Sequence, residues 1–439
     1  VPAATIVEWS EGRLKKRAYW EPPTVSASGG PSFEEAIDET ERLFLSAVQK
    51  RMFADVPVGT LLSGGVDSSL VCWAVAKLGG DIKAFTVGTP GDPWDETADA
   101  RATAAALDID HSIIELSGEE EADVSELVNA YGEPFACASA LGMIRVSRAV
   151  KESATVLLTG DGGDDVFLGY PEHLNYWRAS RLAQVLPGGA TALWSAARGA
   201  FPDSGRLRRV RSFLDYTTGG LGAAACVREG LPEYHKNGLL GRRLANAGVT
   251  QREMPWSLES AQQLLAEFLV YDRRTRFTGE YLTKVDGATM FHSLEARSPF
   301  LDQDLWEFAA TLPFEMRLRN GQLKAVLRGL AQRHIGERVA QGRKRGFGIP
   351  VQRWIAGCWR EAVTDAFRDS ILEREGWINS RAALALLDRA SKEGWAPNQL
   401  WYLFVLESWL RHERDQSGAI KLRRHQNGVT NGRAAASFK

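Results

Sequence analysis

Apolar and polar residues alternate over residues 4–9 and again over 13–20, with Ser10-Glu11-Gly12 between them, a pattern that predicts a β-hairpin around a glycine-containing turn. The stretch that follows, placed at 23–32, is rich in Pro, Ser and Gly and reads as a linker. Ser32, with Glu35 three residues on, forms a capping-box signature, and Ile37, Leu43, Phe44 and Val48 mark one apolar face of the helix it starts.

From residue 56 the pattern alternates between short apolar runs and helical periodicity. Strands are expected at 56–62, 82–88, 111–116 and 155–159, with helices at 66–78, 96–107, 119–131 and 141–153 between them. This βα alternation predicts an α/β fold built on a parallel sheet with right-handed crossovers. Beyond residue 170 the signal turns mainly helical, without sustained strand alternation, giving a main domain over 33–418. The last stretch, 419–439, is polar and aperiodic and is expected to be a disordered tail.

Composition narrows the function classes. At 439 residues and 44% hydrophobic content the chain can build a large core, and 53 basic against 55 acidic residues leave no net field for a polyanion or a membrane surface. Cys72, Cys137, Cys226 and Cys358 show neither CxxC nor zinc-finger spacing, so four free thiols in a reducing, cytoplasmic setting are expected. There is no apolar run of about 18 residues, so no membrane span is expected.

The strongest chemical signal is the loop Ser63-Gly64-Gly65-Val66-Asp67-Ser68-Ser69 between a predicted strand and a predicted helix. Its glycines let the backbone approach an oxyanion, its hydroxyls donate hydrogen bonds, and the new helix offers unpaired N–H groups and the positive end of its dipole. The Walker A ending, Gly-Lys-Ser/Thr, is absent. An aspartate inside a phosphate cradle calls for a metal, so Asp67 is a candidate magnesium ligand.

A second block runs Thr159-Gly160-Asp161-Gly162-Gly163-Asp164-Asp165-Val166-Phe167-Leu168-Gly169-Tyr170 from the end of the fourth predicted strand. Strand ends of an open α/β sheet face a common crevice, so this loop can meet the first, with Asp164 as the second magnesium ligand. It is no EF-hand, since Gly163 and Val166 stand at the third and sixth positions.

The first loop resembles the SGGxDSS signature of the ATP pyrophosphatases (the PP-loop superfamily), and Asp55-Val56-Pro57-Val58-Gly59 before it resembles the lead-in of asparagine synthetases. The likeness extends over most of residues 33–412. The second block is similar to the family's GEGxDE or GDGGDE loop. Lys284-Val285-Asp286 through Met290, with Ser293-Leu294-Glu295-Ala296-Arg297-Ser298-Pro299-Phe300-Leu301-Asp302, resembles KxD…M…SLExRxPFLD. That stretch reads as a helix and a turn, with Glu295, Arg297 and Asp302 able to form an ion-pair network that walls the site. Lys324 to Arg328 resembles the family's KxxLR helix start, which puts both residues on one helix face, and residues 343–350 with Trp354 resemble RKxGFxxP…W.

The resemblance implies an adenine nucleotide alpha hydrolase-like core and an AMP-forming ligase that uses ATP and Mg2+. Asp161 and Lys324 take the catalytic roles. Leu62, Ser63, Gly64, Gly65, Asp67, Ser68, Ser69, Val87, Thr159, Gly160 and Lys344 take ATP or pyrophosphate, and Asp67 and Asp164 the metal. Aspartate is the expected acceptor, activated as β-aspartyl-AMP and then aminolysed by ammonia to asparagine. Relatives that amidate or cyclise another carboxylate, and a non-catalytic nucleotide-binding homologue, stay open as alternatives. Residues 1–22 resemble the end of a glutaminase domain and its connector. The family's glutaminase nucleophile is a leading cysteine, whereas the first cysteine here is Cys72, so ammonia from glutamine is expected to come from a domain preceding this sequence. No nucleic-acid partner is expected, and a homodimer stays open.

Overall fold

The computed structural model describes the backbone of all residues except 22, 24–29, 89–94, 116–123, 202–204, 229–230, 246–260, 343–347 and 435–439. Lys344, most of the expected linker and the start of the helix expected at 119–131 therefore lie outside the described residues. So does the side chain of Cys226, while Cys72, Cys137 and Cys358 are free thiols.

The hairpin forms as expected: β1 (Thr5–Ser10) pairs antiparallel with β2 (Arg13–Ala18), Ser10 opposite Arg13. Its two-residue turn needs positive φ at both positions, and Glu11 (φ 50°) and Gly12 (φ 76°) supply it. Helix α1 (Phe33–Met52) starts at the expected capping box, with Glu35 N–H donating to Ser32 Oγ at 3.3 Å and Ser32 N–H to Glu35 Oε2 at 2.7 Å.

The centre is a five-stranded parallel sheet in the order β5-β4-β3-β6-β7. Its strands are β3 (Val58–Leu61), β4 (Lys83–Gly88), β5 (Asp110–Glu115), β6 (Val156–Leu158) and β7 (Glu295–Arg297). Helices α2 (Val66–Lys77), α3 (Thr97–Leu107), α4 (Ser125–Tyr131) and α5 (Ala138–Lys151) fall between the strands. From β3 the chain moves one way along the sheet to β4 and β5, and then crosses to β6 on the other side of β3. That reversal opens a crevice at the C-terminal ends of β3 and β6, where an α/β sheet binds its ligands.

The core lies on both faces of the sheet. Leu157 packs with Leu141, Ile144, Trp359 and Trp401, while its neighbour Leu158 packs with Leu70, Phe44, Phe167 and Phe300. Two adjacent residues of one strand serve opposite faces because strand side chains alternate. Beyond β6 the chain is mainly helical, as expected.

Two expectations change. The region beyond residue 170 does contain a strand of the sheet, β7, in register with β6 through Val156 and Glu295. Its three residues, Glu-Ala-Arg, are too short and too polar to show strand alternation, and only the exposed edge of a preformed sheet gives them a partner. The last helix, Asn398–Ala434, continues through most of the stretch expected to be a disordered tail. No proline interrupts that run, and its side chains from residue 417 lie outside the described residues.

Candidate active site

The two glycine-rich loops leave neighbouring strands and face each other. After β3, the chain turns through Ser63 and Gly64 to Gly65, the N-cap of α2, which has no side-chain cap. The first N–H groups of α2 thus stay available to an anion. Ser63 and Ser68 shape the turn: their hydroxyls lie 2.9 Å apart, Gly65 N–H donates to Ser63 Oγ at 3.1 Å, and Ser63 N–H donates to Ser68 Oγ at 3.0 Å. Ser69 is fully buried one turn into α2, away from the open part of the cradle.

The second loop approaches closely because it lacks side chains at the contact. A Cβ on Gly160 would stand 3.0 Å from both Asp67 Cβ and Ser68 N, and one on Gly163 would press on the Asp67 carboxylate. Thr159 is buried, its N–H donating to Arg297 O at 2.9 Å. The Ser298 hydroxyl donates to Asp161 O, so the segment after β7 holds the loop that carries Asp161.

Lys324 completes the centre. It is the N-cap of the helix Ala325–His334 in a left-handed conformation (φ 55°, ψ 38°), and its ammonium bonds both Asp67 and Asp164. The three side chains are 5%, 13% and 12% exposed, so the two carboxylates are held together by one nearly buried cation. Arg328, whose N–H donates to Lys324 O, also lies in the field of both aspartates, while its guanidinium bonds Leu323 O and Ala340 O. Burial lowers the Arg328 pKa, and the two carboxylates oppose that.

Leu62 and Val87 occupy adjacent strand ends. The Leu62 N–H donates to Phe85 O at 2.8 Å and its carbonyl accepts from Thr86 Oγ1 at 2.5 Å. The Leu62 side chain is buried among Cys72, Ala84, Ala100 and Ala104, and Val87 is half-buried. The Leu62 backbone groups are thus already engaged by the sheet.

The expected network of Glu295, Arg297 and Asp302 divides in two. Arg297 pairs with Glu295 at 2.8 Å and donates to the carbonyls of Arg51 and Phe53, whereas Asp302 pairs with Arg51 at 2.9 Å and Lys50 at 3.2 Å. Asp302 is pinned as the N-cap of the helix Gln303–Thr311, which turns it to the basic last turn of α1 instead of to Arg297.

Residues 39–411 match the family model described as asparagine synthase. The chain belongs to the asparagine synthase family. It is 27% identical over 384 residues to an asparagine synthetase [glutamine-hydrolyzing] of Bacillus subtilis, covering 86% of this chain and 59% of that protein. It is 26% identical over 445 residues to a Penicillium rubens protein named amidase chyE, covering 89% and 64%. The chain therefore spans less than two thirds of the length of these relatives. Among solved structures, an NH3-dependent NAD synthetase from Campylobacter jejuni overlaps 32% of this chain and 61% of its own at 17% identity, with a TM-score of 0.22, too slight a match to add to the fold above.

Around the family's two loops the fold gathers groups that sequence reasoning did not single out. Asp165 is pushed well above the usual carboxylate range by burial and then by the charges of Asp164, Asp272 and Asp161. Tyr170, at the end of the loop, has its phenol raised by burial and by Asp165 and Asp164. The Arg276 guanidinium lies 5.4 Å from the Tyr170 ring and 5.0 Å from the Tyr281 ring, and pairs with Asp272 at 2.9 Å and Glu172 at 3.3 Å. Fully buried His173 is pushed down to about 3, mainly by burial. Arg317, lowered by burial to about 9, donates to Val166 O at 2.9 Å and fixes the end of the loop. Asp165 and Tyr170 were visible inside the second motif. Arg276, Arg317 and His173 carry no local signature.

Proposed function

We propose that this chain is an AMP-forming amide synthetase that activates a carboxylate with ATP and passes the acyl group to ammonia. The observation that carries this reading is the convergence of Asp67, Asp164 and Lys324 at the mouth of a capless helix N-terminus. Two carboxylates converging from facing loops suit magnesium, which takes one or two carboxylates together with phosphate oxygens. Among the described residues no set of three or more His, Cys, Asp or Glu side chains forms a cage of its own, which fits an ion carried with the nucleotide. When bound, the ion neutralises phosphate charge; Asp67 and Asp164 are the residues that hold it.

The remaining steps belong to the chain's own groups. The Ser63–Ser69 loop takes the pyrophosphate through backbone N–H groups and hydroxyls, with Thr159 and Gly160 beside it, and Leu62 and Val87 flank the adenine. An acceptor carboxylate oxygen bonds to the α-phosphorus as its bond to pyrophosphate breaks, and Lys324 stabilises the charge that grows on the phosphoryl oxygens. Ammonia then bonds to the acyl carbon, AMP leaves with the carbon–oxygen bond pair, and Asp161 takes the proton that nitrogen loses. Aspartate as acceptor, giving asparagine, is the reading favoured by the synthetase relatives. The amidase-named relative, which covers 89% of the chain, supports a second reading in which another carboxylate is amidated.

The test is pyrophosphate release with ATP, magnesium, ammonium and a panel of carboxylates. Aspartate-dependent release with stoichiometric AMP is expected. Absence of release across the panel sinks the proposal, and release with a different acid selects the second reading.

A further inference from the structure

The Leu62 carbonyl stands immediately before the Ser63–Ser69 loop, and side chains from two further strands hold it in line. It accepts from the Thr86 hydroxyl at 2.5 Å, and the same Thr86 oxygen lies 2.7 Å from His111 Nε2. The direction of each bond is forced. A carbonyl oxygen only accepts, so the single Thr86 proton goes to Leu62 O, and His111 must donate to Thr86. The neutral ring therefore carries its proton on Nε2. Burial, followed by the charge of Arg101, keeps the His111 pKa below its ordinary value against the opposing charge of Asp110.

These bonds take over where strand pairing stops. The paired residues of β3 and β4 end at Leu61 and Phe85, and beyond them Leu62 keeps the bond from its N–H to Phe85 O at 2.8 Å. His111 is in register with Ala84, so Thr86 is two residues further along β4 on the same face of the sheet. Thr86 is buried and His111 half-buried. A hydroxyl that accepts one hydrogen bond donates the other more strongly, so the imidazole acts on the Leu62 carbonyl through Thr86. That carbonyl and the Ser63 N–H belong to one planar peptide unit. The same line of bonds thus orients the Ser63 N–H, which donates to Ser68 Oγ at 3.0 Å inside the phosphate loop.

We propose that His111 is a positioning residue for the nucleotide: by donating to Thr86 it fixes the Leu62–Ser63 peptide, and with it the entrance of the phosphate loop. This rests on the ATP-binding reading proposed above and adds to it a residue that works through Thr86 and Leu62 instead of on the reacting atoms. An amide nitrogen placed where Nε2 stands does the same work, and one placed at the level of Nδ1 does not.

The experiment measures ATP binding to the whole chain by titration calorimetry with magnesium and without acceptor or ammonium, so that affinity is read apart from turnover. His111→Ala and His111→Asn are expected to weaken ATP binding about three- to tenfold, the scale of one net hydrogen bond. His111→Gln, whose side-chain amide reaches the Nε2 position, restores most of the loss. Thr86→Val brings a loss of the same order, and combining it with His111→Ala adds little, because both changes break one line of bonds. In turnover the KM for ATP rises while kcat and the KM for the acceptor change less than twofold. Thermal unfolding of each variant, matched to wild type, separates lost positioning from lost folding. Wild-type ATP affinity in folded His111→Asn overturns the inference, as do losses from Thr86→Val and His111→Ala that add in full. A wild type that binds no ATP sinks the nucleotide reading and this inference with it.

Discussion

Lys324 bonds the carboxylate of Asp67 across 257 positions of sequence, from a left-handed backbone conformation at the start of its helix. The same ammonium bonds Asp164, so one cation offsets the repulsion between two nearly buried carboxylates brought from separate loops.

Lys324→Met removes that cation and the stabilisation of phosphoryl charge assigned to it. Pyrophosphate release is expected to fall by roughly 10²- to 10³-fold in kcat/KM, the scale of losing one preorganised electrostatic group. Steady-state kinetics with circular dichroism as a folding control check this. A variant within a few-fold of wild type removes Lys324 from the chemistry.

Gly169→Ala addresses the packing of the same triad without touching a charge. A Cβ there would overlap the Asp164 carboxylate and the Lys324 side chain, so the two must separate. Activity should drop about tenfold or more, with a stability loss of about 1–3 kcal/mol from overpacking. Denaturant unfolding and turnover measured on one preparation give both numbers.

His173 makes stability depend on pH. Burial holds its folded pKa at about 3 against an ordinary 6.5, so between those values the unfolded chain binds a proton that the folded chain does not. This contribution is whole above pH 6.5 and is lost as pH falls, at about 1.4 kcal/mol per unit. His173→Phe, which keeps the ring packed beside Phe268, is expected to flatten the curve of unfolding free energy between pH 6.5 and 5. An identical slope in both proteins refutes the assignment.

Glu407 anchors the C-terminal helices. It is fully buried and accepts from Ser370 Oγ at 2.9 Å, Ile371 N–H at 2.8 Å and Leu372 N–H at 3.1 Å, and pairs with Arg411 at 3.0 Å. Glu407→Ala leaves these donors without an acceptor and should cost about 3–5 kcal/mol, whereas Glu407→Gln keeps an acceptor oxygen and should cost less. Urea unfolding midpoints order the three proteins.

What the sequence determined by itself is local. The capping box at Ser32 and Glu35, the hairpin turn at Glu11-Gly12, the alternation of strands and helices through residue 158 and the two glycine-rich loops follow from spacing and backbone preference, each of which acts over a few residues. The family resemblance draws on the two loops together with residues 55–59, 284–302, 324–328 and 343–354. Tertiary structure decided what depends on partners far along the chain. Glu295–Arg297 is a strand only because β6 offers it an edge, and Asp302 turns to α1 because it caps the next helix. Asp67, Asp164 and Lys324 become one centre only when β3 and β6 lie side by side. Hydrogen-bond registry and charge compensation are settled between elements, and spacing along one segment carries no record of the neighbour it will meet.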